Sequence, residues 1–138
     1  MKRKLNSIVL IDDDEATNFI HKIVIKKADV AEQIIAYQSA KEALSYLTSP
    51  LETGNYPQPD LILLDINMPV MNGWEFLEEY NKLSKEQQAK IVIIMLTTSE
   101  NPHDKEKAMG YSIVNGFNNK PLTMDMLRNM YSQYFSDN

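Results

Sequence analysis

Leu61-Ile62-Leu63-Leu64-Asp65 is the stretch on which the fold turns: four aliphatic residues in a row, closed by an acid. A run this short with no polar alternation is the pattern of a strand covered on both faces, as in a parallel sheet. Three other runs share it, Ser7–Ile11, Gln33–Tyr37 and Ile91–Leu96, and Val114–Asn118 is a fifth, weaker one. Helical patterns fall between them. Ala16, Ile20, Ile23 and Val24 recur on one face of the first. Ser39-Ala40-Lys41-Glu42 reads as a capping box opening the second, ahead of Ala43, Leu44 and Leu47. Phe76, Leu77 and Tyr80 mark a third, Asn101-Pro102 starts a short fourth, and Leu127, Met130, Tyr131 and Tyr134 mark the last. Strand and helix therefore alternate five times, which predicts an α/β fold, a parallel sheet with helices on both faces. Ser49 to Pro59, with three prolines and a glycine, reads as the loop before the third strand.

The chain of 138 residues suits one domain, and no boundary, repeat or low-complexity tract interrupts it. Without cysteine there is no disulfide, thiolate zinc site or cysteine nucleophile. A net charge of −5 argues against a nucleic-acid-binding role, which needs clustered Lys and Arg. Met1-Lys2-Arg3-Lys4 has the basic character of a signal peptide. The apolar run behind it, Ile8-Val9-Leu10-Ile11, is too short for a secretory or membrane-spanning segment. The expectation is a cytoplasmic, soluble protein without membrane insertion.

In a doubly wound sheet ligands bind beyond the carboxyl ends of the strands. There the first strand ends in Asp12-Asp13-Asp14, the third in Asp65 and the fourth in Thr97-Thr98-Ser99, while Lys120-Pro121 follows the fifth. Clustered carboxylates repel by about 4 kcal/mol per pair at ~4 Å and an effective dielectric of ~20, so the cluster calls for a cation. Oxygen-only donors favour Mg²⁺, Mn²⁺ or Ca²⁺ over zinc. A carboxylate beside such an ion can itself attack phosphorus to give an acyl phosphate. Asp65 would be that nucleophile. Lys120 and the metal would hold the phosphoryl oxygens, and Thr97 would donate a hydrogen bond to them. The plainer alternative is a solvated acidic loop capping the next helix, a role open to Asp14 in particular. The joint placement of these groups at four strand ends favours the site.

Pro59-Asp60-Leu61-Ile62-Leu63-Leu64-Asp65-Ile66-Asn67-Met68-Pro69-Val70-Met71-Asn72-Gly73 resembles the strand, phosphoacceptor and following loop of the receiver domains of two-component signalling. Ile8–Asp13, Met95-Leu96-Thr97 and Lys120-Pro121 match in order and spacing, and the likeness runs from about Asn6 to Phe135. The resemblance, to single-domain chemotaxis-type regulators, implies a flavodoxin-like five-stranded sheet of order 2-1-3-4-5, a single receiver domain over residues 1–138 and no output domain. It also implies Mg²⁺ bound directly by Asp13, Asp65 and the Asn67 carbonyl, with Asp12 acting through water. Lys120 would pair with Asp65 across a cis Lys120-Pro121 bond, and Thr97 and Phe117 would move together as a switch.

The partners implied are a histidine kinase or histidine phosphotransfer protein and a downstream protein, which would either respond to the switch or take the phosphoryl group onward in a phosphorelay. Monomer and weak dimer both fit. Asp65 would be phosphorylated and hydrolysed without turnover of any external substrate.

Two departures from the family stand out. Gly110–Gly116 reads as a longer link than usual before the fifth strand, and Thr98 replaces a smaller residue, where it would restrict access to the phosphoryl group. His21 and His103 read as solvent-facing, Trp74 as ordinary helix packing, and Met124 and Met126 as candidates for a partner surface. Two rival functions remain. One is a Mg²⁺ phosphohydrolase with an aspartyl nucleophile, against which Asn67 stands where a second acid would be needed. The other is a phosphorylation-silent binding module, against which the full residue set argues.

Overall fold

The computed structural model describes residues 4–88 and 91–135, so residues 1–3 of the basic start lie outside it. The elements run β1 (Leu5–Ile11), α1 (Glu15–Ala28), β2 (Ala31–Tyr37), α2 (Ala40–Thr48), β3 (Leu61–Leu64), α3 (Gly73–Asn81), α4 (Lys85–Gln88), β4 (Val92–Thr97), α5 (Pro102–Met109), β5 (Val114–Asn119) and α6 (Met124–Tyr134). The sheet has the order β2-β1-β3-β4-β5, and every pairing is parallel. The short α4 is the one element without a counterpart in the sequence reading; it carries no buried residue, so no apolar period announces it.

Successive strand residues point to opposite faces, which splits the aliphatic runs between two cores. Val9, Ile11, Ile62, Leu64, Ile93 and Met95 pack with Ala43, Leu47, Phe76 and Leu77 of α2 and α3. Ile8, Leu10, Leu61, Leu63, Ile94 and Leu96 pack with Ile25 of α1 and Leu127 and Met130 of α6. Burial on both sides is why these strands read as unbroken apolar runs. Met126 packs partly against the second core, so it belongs to the interior more than to a surface.

Capping residues set the helix starts. Asp14 caps α1, accepting from the Ala16 N–H and the Thr17 hydroxyl at 3.1 and 2.7 Å. Ser39 caps α2 by accepting the Glu42 N–H at 3.3 Å. A reciprocal capping box forms at α3, between Asn72 and Glu75. Trp74 does more than fill space: it stacks on Tyr111 at 6.1 Å, with the Lys107 ammonium 4.7 Å from the ring centre.

Two expectations are corrected. Ile20 and Ile23, assigned to the packed face of α1, are exposed, as are Ala16 and Phe19; the buried side chains are Asn18, His21 and Ile25. The helix is turned so that two polar residues meet hydrogen-bond partners underneath it, and a count of apolar spacing alone cannot register that. The link before β5 is not long either, since it spans only residues 110–113. The additional residue lies inside the strand as a β-bulge, where the register passes from Ile93↔Val114 to Ile94↔Gly116. Asn115 fills the break, its Oδ1 accepting the Ile93 N–H at 2.9 Å, while the Tyr134 hydroxyl donates to the Asn115 carbonyl at 2.8 Å.

Candidate phosphoacceptor site

The carboxyl ends of β1, β3 and β4 and the turn after β5 bring the expected residues together. Asp12 and Asp65 are 5% and 6% exposed, which removes both carboxylates from bulk water, whereas Asp13 is exposed. One oxygen from each of Asp12, Asp13 and Asp65 lies within 4.8 Å of the others. The Lys120 ammonium bridges the buried pair: it is hydrogen-bonded to Asp12 Oδ2 and stands 3.3 Å from Asp65 Oδ1. Asp12 Oδ1 also accepts the Asp14 N–H at 2.9 Å. The Lys120-Pro121 bond is cis, as the resemblance implied.

Backbone bonds hold these ends in register. The Asp12 and Asp65 N–H groups donate to Tyr37 and Ile11 carbonyls, both at 3.0 Å, and the Lys120 N–H donates to the Thr97 carbonyl at 2.8 Å. The loop after Asp65 closes through the Gly73 N–H, which donates to the Ile66 carbonyl at 2.7 Å. A Cβ on Gly73 would sit 2.4 Å from the Asp65 carbonyl oxygen, so only glycine permits this approach.

Thr97 is fully buried at the end of β4, its hydroxyl oxygen accepting the Ser99 N–H at 3.2 Å. Thr98 is exposed and lines the clefts on both sides of Lys120. Phe117 is half-buried on β5. It packs against the first core and lines the cleft that Thr98, Pro102, Lys105 and Lys120 share. Asn67, two residues past Asp65, is exposed. His103 is at the surface, 3.8 Å from Glu106, as expected.

His21 is not solvent-facing. It is 3% exposed, and its Nε2 accepts the Leu122 N–H at 3.2 Å. Asn18, one turn earlier, donates from Nδ2 to the Asp12 carbonyl at 2.9 Å. Neither was singled out as part of the site from sequence. The available signal was two polar residues at i and i+3 directly after an acidic strand end.

Burial raises the Asp65 pKa above the ordinary carboxylate value, with the Lys120 charge working against it and Asp12 adding to it. For Lys120, burial pulls downward, but the hydrogen bond to Asp12 and the charge of Asp65 outweigh it, and the pKa rises. With all groups ionised, three carboxylates face one ammonium. An excess of negative charge on oxygen donors alone suits a hard divalent cation, so the residues present fit Mg²⁺ or Mn²⁺.

A doubly wound 2-1-3-4-5 sheet with an acidic pocket at its carboxyl edge and a lysine on that pocket defines a class of signalling domain. The chain belongs to the response regulator receiver domain family, whose description it matches over residues 8–132. It is 32% identical over 97 residues to response regulator Rcp1 of Synechocystis, covering 70% of this chain and 65% of that protein; the chain thus spans just under two thirds of Rcp1. A two-component response regulator from Cytophaga hutchinsonii superposes with a TM-score of 0.87 at 32% identity, over 98% of this chain and 100% of that one. The Mn²⁺-bound form of Rcp1 superposes with a TM-score of 0.75 at 26% identity, over 96% and 97%. Among the described residues no helix is long and apolar enough to cross a membrane.

Proposed function

We propose that this receiver takes a phosphoryl group from a histidine phosphodonor onto Asp65 and signals through the change in packing that follows. The observation that supports it most directly is the buried Asp65 carboxylate, 3.3 Å from the Lys120 ammonium at the mouth of the acidic pocket. An Asp65 oxygen forms the new bond to phosphorus as the bond to the donor imidazole breaks. The bonding pair leaves on the imidazole nitrogen, which takes a proton from solvent. Lys120 balances charge on the phosphoryl oxygens. Asp12, Asp13, Asp65 and the Asn67 carbonyl would hold a divalent cation, Mg²⁺ in the cell, which neutralises phosphoryl charge when bound.

Thr97 would supply the hydroxyl that turns toward a phosphoryl group. Its movement would vacate space for Phe117, biasing the face built by α5, β5 and α6 between two packings. That face would carry the signal to a downstream protein. Asn67 has no carboxyl to protonate a leaving group, so turnover of an external phosphate ester is not part of this function.

The test is intact mass after incubation with Mg²⁺ and acetyl phosphate. A labile single-phosphoryl adduct on wild type and none on Asp65→Asn is the expected result. An adduct that persists on Asp65→Asn would overturn the assignment of the acceptor.

A further inference from the structure

The two polar side chains buried under α1 are not explained as packing. A helix lying on a sheet is best served there by aliphatic residues, yet this face carries Asn18 and His21 beside Ile25. Asn18 Oδ1 is buried without a hydrogen-bond partner among the described residues, a cost that an apolar residue would avoid. What the two residues hold supplies the reason for them.

Asn18 Nδ2 donates to the carbonyl of Asp12, and His21 Nε2 accepts from the N–H of Leu122. Asp12 and Lys120 are ion-paired partners drawn from opposite ends of the chain. The Lys120 N–H is tied to the Thr97 carbonyl on one side. Pro121 has no N–H, so Leu122 offers the first backbone donor after it, and that donor goes to His21. The lysine is therefore slung between the end of β4 and the underside of α1, while the same helix grips the loop that carries its partner acid.

We propose that α1 is a brace for the ammonium, with His21 as the positioning residue that keeps Lys120 against Asp12 and Asp65 during phosphoryl transfer. The inference rests on the reading of Asp65 as acceptor and adds to it a residue that touches neither donor nor phosphoryl group. The bond needs a neutral ring with a bare Nε2. Burial favours that form by holding the imidazole below its ordinary pKa, with Asp12 opposing and Lys120 assisting.

Three measurements decide it. Nitrogen NMR of the wild-type ring should show Nε2 unprotonated and Nδ1 protonated at neutral pH; a protonated Nε2 overturns the proposal. Acylation of Lys120 by an amine reagent, read by peptide mapping, should rise several-fold in His21→Leu and stay near wild type in His21→Gln, whose Oε1 can accept the same N–H. Phosphorylation by acetyl phosphate with Mg²⁺ should slow about tenfold in His21→Leu and recover to within about twofold in His21→Gln, as expected for a displaced charge.

A lowered melting temperature with labelling and rate unchanged would mean that His21 only packs, and the proposal fails. If His21→Leu does not fold, His21→Phe, which fills the site without an acceptor for the Leu122 N–H, takes its place, and the same labelling and rate outcomes decide between brace and packing. If wild type takes no phosphoryl group, the acceptor reading falls while the Lys120 labelling still judges the brace.

Discussion

Val70 occupies a backbone conformation that β-branched residues avoid. Its φ is +68°, and the Met71 N–H closes back on the Pro69 carbonyl at 2.7 Å, which makes Val70 the centre of a γ-turn of the rare, strained hand. Such strain costs about 1–3 kcal/mol. The side chain is 83% exposed, so its removal forfeits little packing. Allowing for the entropy that glycine adds to the unfolded chain, Val70→Gly should stabilise by about 1 kcal/mol, raising the melting temperature by about 4 °C; an unchanged or lower value would show the turn to be unstrained. Asp65 is a second local cost. Because burial raises its folded pKa, the native state binds a proton more tightly than the unfolded chain. Stability is then lost as pH rises from the ordinary carboxylate value through the raised one. Without divalent metal, Asp65→Asn should melt above wild type at neutral pH, and the gap should narrow in acid. Added Mg²⁺ should raise the wild type alone. Thr98 borders Lys120 on both sides, so the phosphorylated state of Thr98→Ala should decay faster than wild type; an equal half-life would show that Thr98 does not restrict water. The acids, Thr97 and Lys120 were legible in the sequence because each follows a strand end, a position that apolar runs locate. His21 was not, because its partner is a backbone N–H far along the chain that only the folded structure brings near.

Elements were legible to the degree that burial is two-sided. β1, β3 and β4 are nearly continuous buried runs, and β3 has the bounds read from the sequence, Leu61–Leu64. β5, at the sheet edge, is only partly buried and rich in Asn, so its pattern is faint and its bulge invisible beforehand. The bulge makes its own prediction. Asn115 lends Oδ1 to the Ile93 N–H where the ladder breaks, and Ile93 is fully buried. Asn115→Ala leaves that donor unpaired and should cost about 1–3 kcal/mol in chemical denaturation with little change in the denaturant slope. A loss below about 0.5 kcal/mol would mean that the bulge closes up or admits water. The turned face of α1 teaches the complementary lesson. Apolar periodicity assigned Ile20 and Ile23 inward because it assumes a helix packs with its most apolar stripe, whereas here Asn18 and His21 fix the rotation.

On the scale of the molecule, that rotation places aliphatic and aromatic surface in solvent beside the reactive pocket. Phe19, Ile20 and Ile23 are 65%, 51% and 39% exposed on one side of α1, and Ile20 lines a cleft with Thr98, Lys120 and Pro121. Exposed large apolar side chains grouped next to a functional site mark a contact surface. On the proposed function, a protein donor would hold its phosphohistidine in line with Asp65 and cover the ground immediately around the pocket, of which this patch would be the apolar part. A small acyl phosphate has no such need. Phe19 and Ile23 lie outside the cleft, so Phe19→Asp combined with Ile23→Asp should leave phosphorylation by acetyl phosphate within about twofold of wild type. Transfer from a histidine-phosphorylated donor protein should slow by about a hundredfold, since two buried contacts at about 1.5 kcal/mol each set the scale. Equal slowing with both donors would place the defect in the pocket, and no slowing with either would move the donor interface elsewhere. On the proposed function, the two sides of one helix would have opposite duties, the polar underside toward the charges and the apolar outside toward a partner that delivers the phosphoryl group.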